Sequence, residues 1–484
     1  MSSLRYNNYI IVIRVIKKGF VIMDTKELKN KLFCNRKNAG ITLSDEDIAK
    51  CDQFCEGYKD FLNQSKTERE AVKYAISTAE RMGYVPFKKG MSLKAGDKVY
   101  YNNRGKAIVL AVIGKEDISK GVKICVAHID SPRLDLKQNP IYEDSELALF
   151  KTHYYGGIKK YQWTAIPLSL HGVVVKKDGS KVEINIGEND DEPVFCVTDL
   201  LIHLASEQMK QPLATGVKGE NLNILIGSRP FKDDDESELV KLNILNILYE
   251  KYGIVEEDFI SAELEAVPAF KAKDLGFDRS MIGSYGHDDR VCAYPALMAC
   301  MDTVTPNKTS VVILTDKEEI GSDGNTGLNS SYMKFFIMDL ADCFGANGRT
   351  VLSHSECLSA DVNAGFDPTY PEVADRKNFA FLNYGVVVTK FTGSRGKSGT
   401  SDASAEFTGK VHNLLRDNGV VFQTGELGKV DAGGGGTVAM YVANLDVDTI
   451  DVGVPVLSMH APFEVVAKID VYMAYKAFMV FMNE

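Results

Sequence analysis

The chain has 484 residues, of which 45% are hydrophobic and 25% charged, an ordinary globular composition at a length that suits two or three domains. Its 66 acidic and 56 basic side chains leave a formal charge of −10 with no long basic run, which argues against a nucleic-acid binder. Nine cysteines, an odd number without a repeated C-x-x-C pair, exclude a disulfide framework and a thiolate zinc knuckle and point to a reducing compartment, the cytoplasm.

In chain order, Tyr9–Val21 (YIIVIRVIKKGFV) is apolar but interrupted by Arg14, Lys17 and Lys18. It is too short and too charged to span a membrane, and no small-residue cleavage site follows it. Met23 opens a helical stretch, so residues 1–22 are expected to be an N-terminal extension. Residues 24–83 read as helices, with Ser44 as an N-cap before DEDIAK and apolar residues recurring through Phe54, Tyr58 and Phe61. From about 97 the pattern turns to strands: DKVYYNN and AIVLAVIG about a turn at Gly105, then VKICVAHID. Residues 134–280 differ, with β-type runs such as HGVVVKKDG and KVEINIG, turn-rich joints and an Asp-dense loop near 233–236. None of the chemically suggestive clusters falls there, as expected of a domain inserted into a catalytic one. After 280 a βα alternation returns: SVVILTD is a continuous apolar strand, FFIMDLADCF and VHNLLRDNG read as helices, and YGVVVTKFTG and VPVLSMH as strands. The expected architecture is an α/β sandwich, its catalytic domain formed by residues 23–133 and 281–484 around a β-rich insertion at 134–280.

Five short segments put His, Asp or Glu at strand ends, where α/β sheets present their ligands. VAHIDSP carries His128 and Asp130 on one face of an alternating strand. GHDDR carries Asp288 and Asp289, which read either as a helix N-cap pair or, because a carboxylate has two oxygens, as a bridge between two cations. TDKEEIGSDG carries Glu318 and Glu319 at the end of a buried strand, unfavourable unless metal or protons offset the repulsion, although a solvated loop is the simpler reading of that segment alone. LSADVNAGFDP contributes Asp361, and LSMHAPFE contributes His460 directly after an apolar strand. Two imidazoles and three carboxylates make a mixed N/O set suited to zinc, manganese or cobalt. The glycine-rich DAGGGGTVAMY, with Gly434 and Gly435, would let backbone amides approach a substrate closely, and lacks the context of a phosphate loop.

The ordered set H-x-D-S-P (128–132), H-D-D-R (287–290), E-E-I-G-S (318–322), S-A-D (359–361) and M-H-A-P-F-E (459–464) resembles the aspartyl aminopeptidases of metallopeptidase family 18. Y-G-G (155–157) before Trp163 and I-H-L-A around His203 resemble it too, and the likeness runs from about residue 80 to the end. The resemblance implies an exopeptidase with two divalent metals, zinc above all, that removes N-terminal residues such as Asp or Glu from peptides by a metal-bridging water. Asp288 would bridge the metals, Glu319 and His460 completing one site and His128 with Asp361 the other. Glu318 would be the general base and Asp130 would support the His128 site. The insertion would build dimers and these a homododecamer, with His203 the candidate to reach a neighbouring subunit's active site. Asp289 stands where some members carry asparagine. Lys390, Arg395 and Lys397 lie on a segment that could line an acidic-specificity pocket. A dinuclear N-acyl amino-acid deacylase needs similar ligands, and a non-catalytic cargo relative would keep the fold; free-amine against N-blocked substrates separates them.

Overall fold

The computed structural model describes residues 14–15, 20–21, 24–34, 36–232 and 236–484. The expected extension at 1–22 therefore lies outside the described residues apart from two short pieces, as does most of the Asp-dense loop.

The continuous apolar runs become the centre of a nine-stranded mixed sheet. Its order is Phe422–Thr424, Val386–Thr389, Asp448–Gly453, Glu356–Ser359, Lys123–His128, Ser310–Thr315, Ala107–Val112, Lys98–Asn103 and Val85–Pro86. The four central strands, from Asp448–Gly453 to Ser310–Thr315, are mutually parallel. Their runs are apolar on both parities because both faces are covered. Cys125, Ala127, Val312 and Leu314 enter one core, whereas Ile124, Val126, Val311 and Ile313 enter the other. Helices Asp45–Gln64, Glu68–Arg81, His287–Asp302, Ala405–Asp417 and Lys468–Asn483 fill the first face, and Tyr332–Asp342 and Gly348–Ser353 the second. This is the expected α/β sandwich. Ser44 caps its helix by accepting the Asp47 N–H at 3.1 Å, and Thr67 with Glu70 forms a full capping box.

A second sheet of seven antiparallel strands is drawn wholly from residues 133–268, in the order Lys181–Ile186, Leu168–Val175, Ala262–Pro268, Arg133–Asp144, Leu147–Tyr155, Ile224–Gly227 and Cys196–Val197. Trp163, Leu168, Phe259 and Leu264 pack its core. Its strand Arg133–Asp144 starts just past His128, so the second sheet begins beside the ends of the central strands. Lys273–Leu275 and Met281–Ser284 join Glu464–Ala467 in a separate three-stranded sheet.

One strand differs from expectation. VPVLSMH pairs as a strand only at Pro455–Val456, with Asn363–Ala364, and the central sheet is instead filled by Asp448–Gly453. Gly453 marks the departure: a Cβ there would lie 1.7 Å from the Asp361 carbonyl oxygen, so the two chains approach closely only because the residue is glycine. His460 consequently sits in a turn with φ +64°, not at the end of an apolar strand.

Candidate metal centre

The chemistry-bearing residues gather at the C-terminal ends of the parallel strands, where side chains and loops are freed from the ladder. His128 closes one strand, Glu318 and Glu319 lie in a short 3-10 turn after Ser310–Thr315, and Asp361 follows Glu356–Ser359. Asp288 and Asp289 open the helix His287–Asp302 but keep non-helical dihedrals, and Gly286 occupies the cap position. Both carboxylates are buried, so they are not a solvated helix cap.

Asp288 stands between the two imidazoles. His128 Nε2 lies 3.2 Å from Asp288 Oδ1, and His460 Nε2 lies 3.2 Å from Asp288 Oδ2. Around this axis, Asp361 Oδ1 is 4.0 Å and Glu318 Oε2 3.8 Å from His128 Nε2, while Glu319 Oε2 is 3.5 Å from His460 Nε2. The rings are oriented from behind. His128 Nδ1 lies 3.0 Å from the Asp130 carbonyl oxygen, and His460 Nδ1 lies 2.8 Å from that of Gly157. A ring N–H donates to each carbonyl, which turns both Nε2 atoms toward Asp288.

Asp130 is enclosed. Its Oδ1 accepts the Glu318 N–H at 3.1 Å, and its Oδ2 accepts the Glu319 N–H at 3.2 Å and the Tyr155 hydroxyl at 2.8 Å. It is thereby an anchor for the Glu318–Glu319 turn. Two further carboxylates, neither of them expected as an anchor, serve similarly. Glu464 takes the Asp288 N–H at 3.1 Å and the His460 N–H at 2.7 Å, and Asp289 takes the His128 N–H at 3.2 Å. Glu464 was visible within M-H-A-P-F-E, but nothing in its spacing announced that partner. Asp289 also lies with His128 and Asp361 within ligand reach of one another, a grouping that competes with Asp288, His128 and Glu319. Asp289 already holds a backbone N–H, whereas Asp288 faces both imidazoles.

The donor set fits divalent cations. Glu319 Oε1 and Asp289 Oδ1 are buried without a hydrogen-bond partner, which is costly for a carboxylate unless a cation lies nearby. Burial, reinforced by Asp288, pushes the Glu319 carboxyl well above its ordinary range, and burial with Asp289 and Glu318 does the same to Asp361. Burial, partly offset by His128, pushes Glu318 up to about 7. Against the cost of burial, hydrogen bonding to Asp288 and the Glu319 charge raise His460 to about 10. The cluster thus holds protons that cations would displace, and a mixed set of imidazole nitrogens and carboxylate oxygens suits zinc.

The centre opens into a cavity of about 470 Å³ lined by Asp288, Glu318, Asp361 and His460 on one side, with Gly434 and Gly435 on the other. Both expected glycines are therefore in place, and Gly434 is at φ +123° with a Cβ position only 2.1 Å from the Gly393 carbonyl oxygen. His203 is exposed on the turn Ile202–Leu204 and does not line this chain's cavity. Of the segment that carries Lys390, Arg395 and Lys397, Thr392 lines the cavity, while Lys390 and Lys397 both ion-pair with Asp402. An aspartate so near in sequence satisfies both lysines locally.

No helix among the described residues is long and apolar enough to cross a membrane. The family model for Aminopeptidase I zinc metalloprotease (M18) matches residues 61–482. A probable M18 family aminopeptidase 1 of Clostridium acetobutylicum is 50% identical over 464 residues, covering 94% of this chain and 100% of that protein. The crystal structure of an M18 aminopeptidase from Thermotoga maritima superimposes with a TM-score of 0.89 at 44% identity, covering 93% of this chain and 100% of that one. A dodecamer of S. cerevisiae mApe1 shares the fold at a TM-score of 0.72 and 22% identity, over 90% of this chain and 97% of that one. With its histidines and carboxylates gathered about Asp288, this chain belongs to the M18 family of zinc aminopeptidases.

Proposed function

We propose that the enzyme removes single N-terminal residues from peptides with two zinc ions held per subunit, bridged by Asp288. The observation that carries this reading is the Asp288 carboxylate, with one oxygen 3.2 Å from each imidazole Nε2. Glu319 with His460 would complete one site and Asp361 with His128 the other. When bound, such a metal pair lowers the pKa of a water and polarises the scissile carbonyl. Glu318, reaching into the cavity from the turn that Asp130 anchors, takes a proton from the attacking water and delivers it to the leaving amine. The substrate's free α-amine would sit near a metal or an acidic group, which would confine cleavage to free N-termini.

The expected taste for N-terminal Asp or Glu finds no lysine or arginine on the cavity wall to support it. Val362, Leu427, Met440 and Met459 line it instead, so the reading we favour is a neutral, apolar first residue, with acidic residues as the competing outcome. Residues 134–280 are proposed as the inserted, dimer-forming domain. In support, the seven-stranded sheet is confined to 133–268, and Leu200, Leu201, Ile202, Leu204 and Tyr249 are exposed on it. Assembly to a homododecamer, as in the yeast relative, would bring His203 of one subunit to another's cavity.

The test is hydrolysis of Leu, Met, Asp and Glu anilides, free and N-acetylated, by chelated enzyme before and after adding zinc. Zinc-dependent release from free-amine Leu and Met substrates supports the reading in full. Release from Asp and Glu alone restores acidic specificity, release only from acetylated substrates points to a deacylase, and silence throughout overturns the enzymatic reading.

A further inference from the structure

Tyr155, Gly156 and Gly157 end a strand of the seven-stranded sheet, yet each touches the metal centre. The Tyr155 hydroxyl donates to Asp130 Oδ2 at 2.8 Å, the carboxylate whose two oxygens also hold the Glu318 and Glu319 N–H groups. The Arg133 guanidinium stacks on the Tyr155 ring, 3.9 Å from its centroid, and is itself fixed by Asp135 and Glu265. Gly156 sits at φ +74°, and a Cβ there would lie 3.2 Å from Glu319 Oε2 and 3.3 Å from Glu319 Cβ. The Gly157 carbonyl accepts from His460 Nδ1 at 2.8 Å, and a Cβ on Gly157 would lie 3.4 Å from that nitrogen. One tripeptide therefore meets the supports of the proposed base and of two proposed ligands, and a glycine passes Glu319 without the crowding and positive-φ strain that a side chain would bring there.

We propose that Tyr155–Gly157 is a positioning element through which the seven-stranded sheet orients the metal centre. Tyr155 acts through Asp130 on the Glu318–Glu319 turn, Gly156 leaves Glu319 its space, and the Gly157 carbonyl fixes the His460 tautomer with Nε2 toward Asp288. None of the three is a catalytic residue. The inference rests on the dinuclear reading above, since it concerns the groups that reading assigns.

Tyr155→Phe removes only the hydroxyl and keeps the ring beneath Arg133. Gly156→Ala crowds Glu319. Both are compared with wild type for kcat and KM on leucine anilide, for zinc affinity by competition with a chromogenic chelator, and for the melting temperature of metal-free protein. Leu168→Ala, in the buried core of the same sheet and away from the centre, serves as the structural control. Tyr155→Phe is expected to lower kcat by about tenfold with KM within about twofold, and Gly156→Ala to weaken zinc by about ten- to a hundredfold, the usual cost of losing an outer partner of a metal ligand. Values within about threefold of wild type for both variants overturn the proposal, as does an equal loss of kcat in Leu168→Ala at matched melting temperature. If wild type fails to cleave free-amine substrates, the functional reading falls, while the zinc measurements still judge the positioning element by themselves.

Discussion

Arg133→Ala probes the buried charges that join the two sheets. The Arg133 guanidinium is buried within 2.8 Å of Asp135, 3.2 Å of Glu265 and 3.4 Å of Glu68. Burial opposes ionisation of Glu68, yet Arg133 and Lys106 together pull its carboxyl down to about 2. Burial pushes Glu265 well above the ordinary carboxylate range, so of the two carboxyls Glu68 is the one its surroundings favour as charged. Removing one partner of a buried pair costs about 3–5 kcal/mol, and the low end applies because Lys106 Nζ stays 3.1 Å from Glu68. Unfolding entropy of about 2.1 cal/mol/K per residue gives a 484-residue cooperative unit roughly 1 °C of melting temperature per kcal/mol. A unit of roughly 150 residues would shift about 3 °C per kcal/mol. Calorimetry of Arg133→Ala should therefore show a fall of about 3 °C if the chain melts as one, or about 9 °C in a separate first transition if the seven-stranded sheet melts alone. A shift below about 1 °C would refute the reasoning, since no buried charge could then have lost its partner.

Glu318→Gln should keep its zinc and lose about 10²–10⁴ in kcat, as expected for removal of a general base, and a near wild-type rate measured on leucine anilide would assign that role elsewhere. His171, buried between Glu70 and Glu188 at 2.8 and 3.1 Å, has its pKa raised, since those hydrogen bonds outweigh the burial that opposes its charge. Its contribution is then full below the unfolded value of about 6.5 and lost as pH rises through the folded one, so the melting-temperature gap between wild type and His171→Asn should shrink from pH 6 to pH 9. Asp274, hydrogen-bonded to Lys59, Lys468 and Arg279, is held down to about 2 although burial opposes its charge. Its contribution of at most about 2 kcal/mol is present above pH 4 and lost as pH falls toward 2, a loss that denaturation of Asp274→Asn against wild type should no longer register at pH 2. Gly434→Ala should displace its loop and reduce kcat/KM on every substrate of the panel, whereas an unchanged value would show that the loop does not meet the substrate.

The sandwich was legible because its central strands carry continuous apolar runs that only doubly covered strands tolerate, and because Ser44 announces its helix. The gathering of His128, Asp288, Glu318, Glu319 and Asp361 was legible for a related reason, since these residues stand where such runs or their turns end. Asp448–Gly453 escaped notice because DTIDVG starts polar and carries Asp451 inward, where the central sheet buries it. The more hydrophobic VPVLSMH beside it drew the assignment, although it bends away at Gly453. Contacts between residues far apart in sequence left no local trace: Tyr155 with Asp130 and Gly157 with His460 arise where the seven-stranded sheet meets the centre, and Glu464 with Asp288 from the pairing of Glu464–Ala467 with Met281–Ser284. The pairing of Lys390 and Lys397 with Asp402 is local in sequence, yet nothing in the spacing of that segment announced it.

The account stands most directly on metal stoichiometry, measured by elemental analysis of dialysed, zinc-loaded protein. Wild type should carry two zinc ions per chain, His128→Ala and His460→Ala one each, and Asp288→Ala neither, because only Asp288 faces both imidazoles. A single zinc in wild type, or two retained by Asp288→Ala, would contradict the bridged pair on which the proposed chemistry depends.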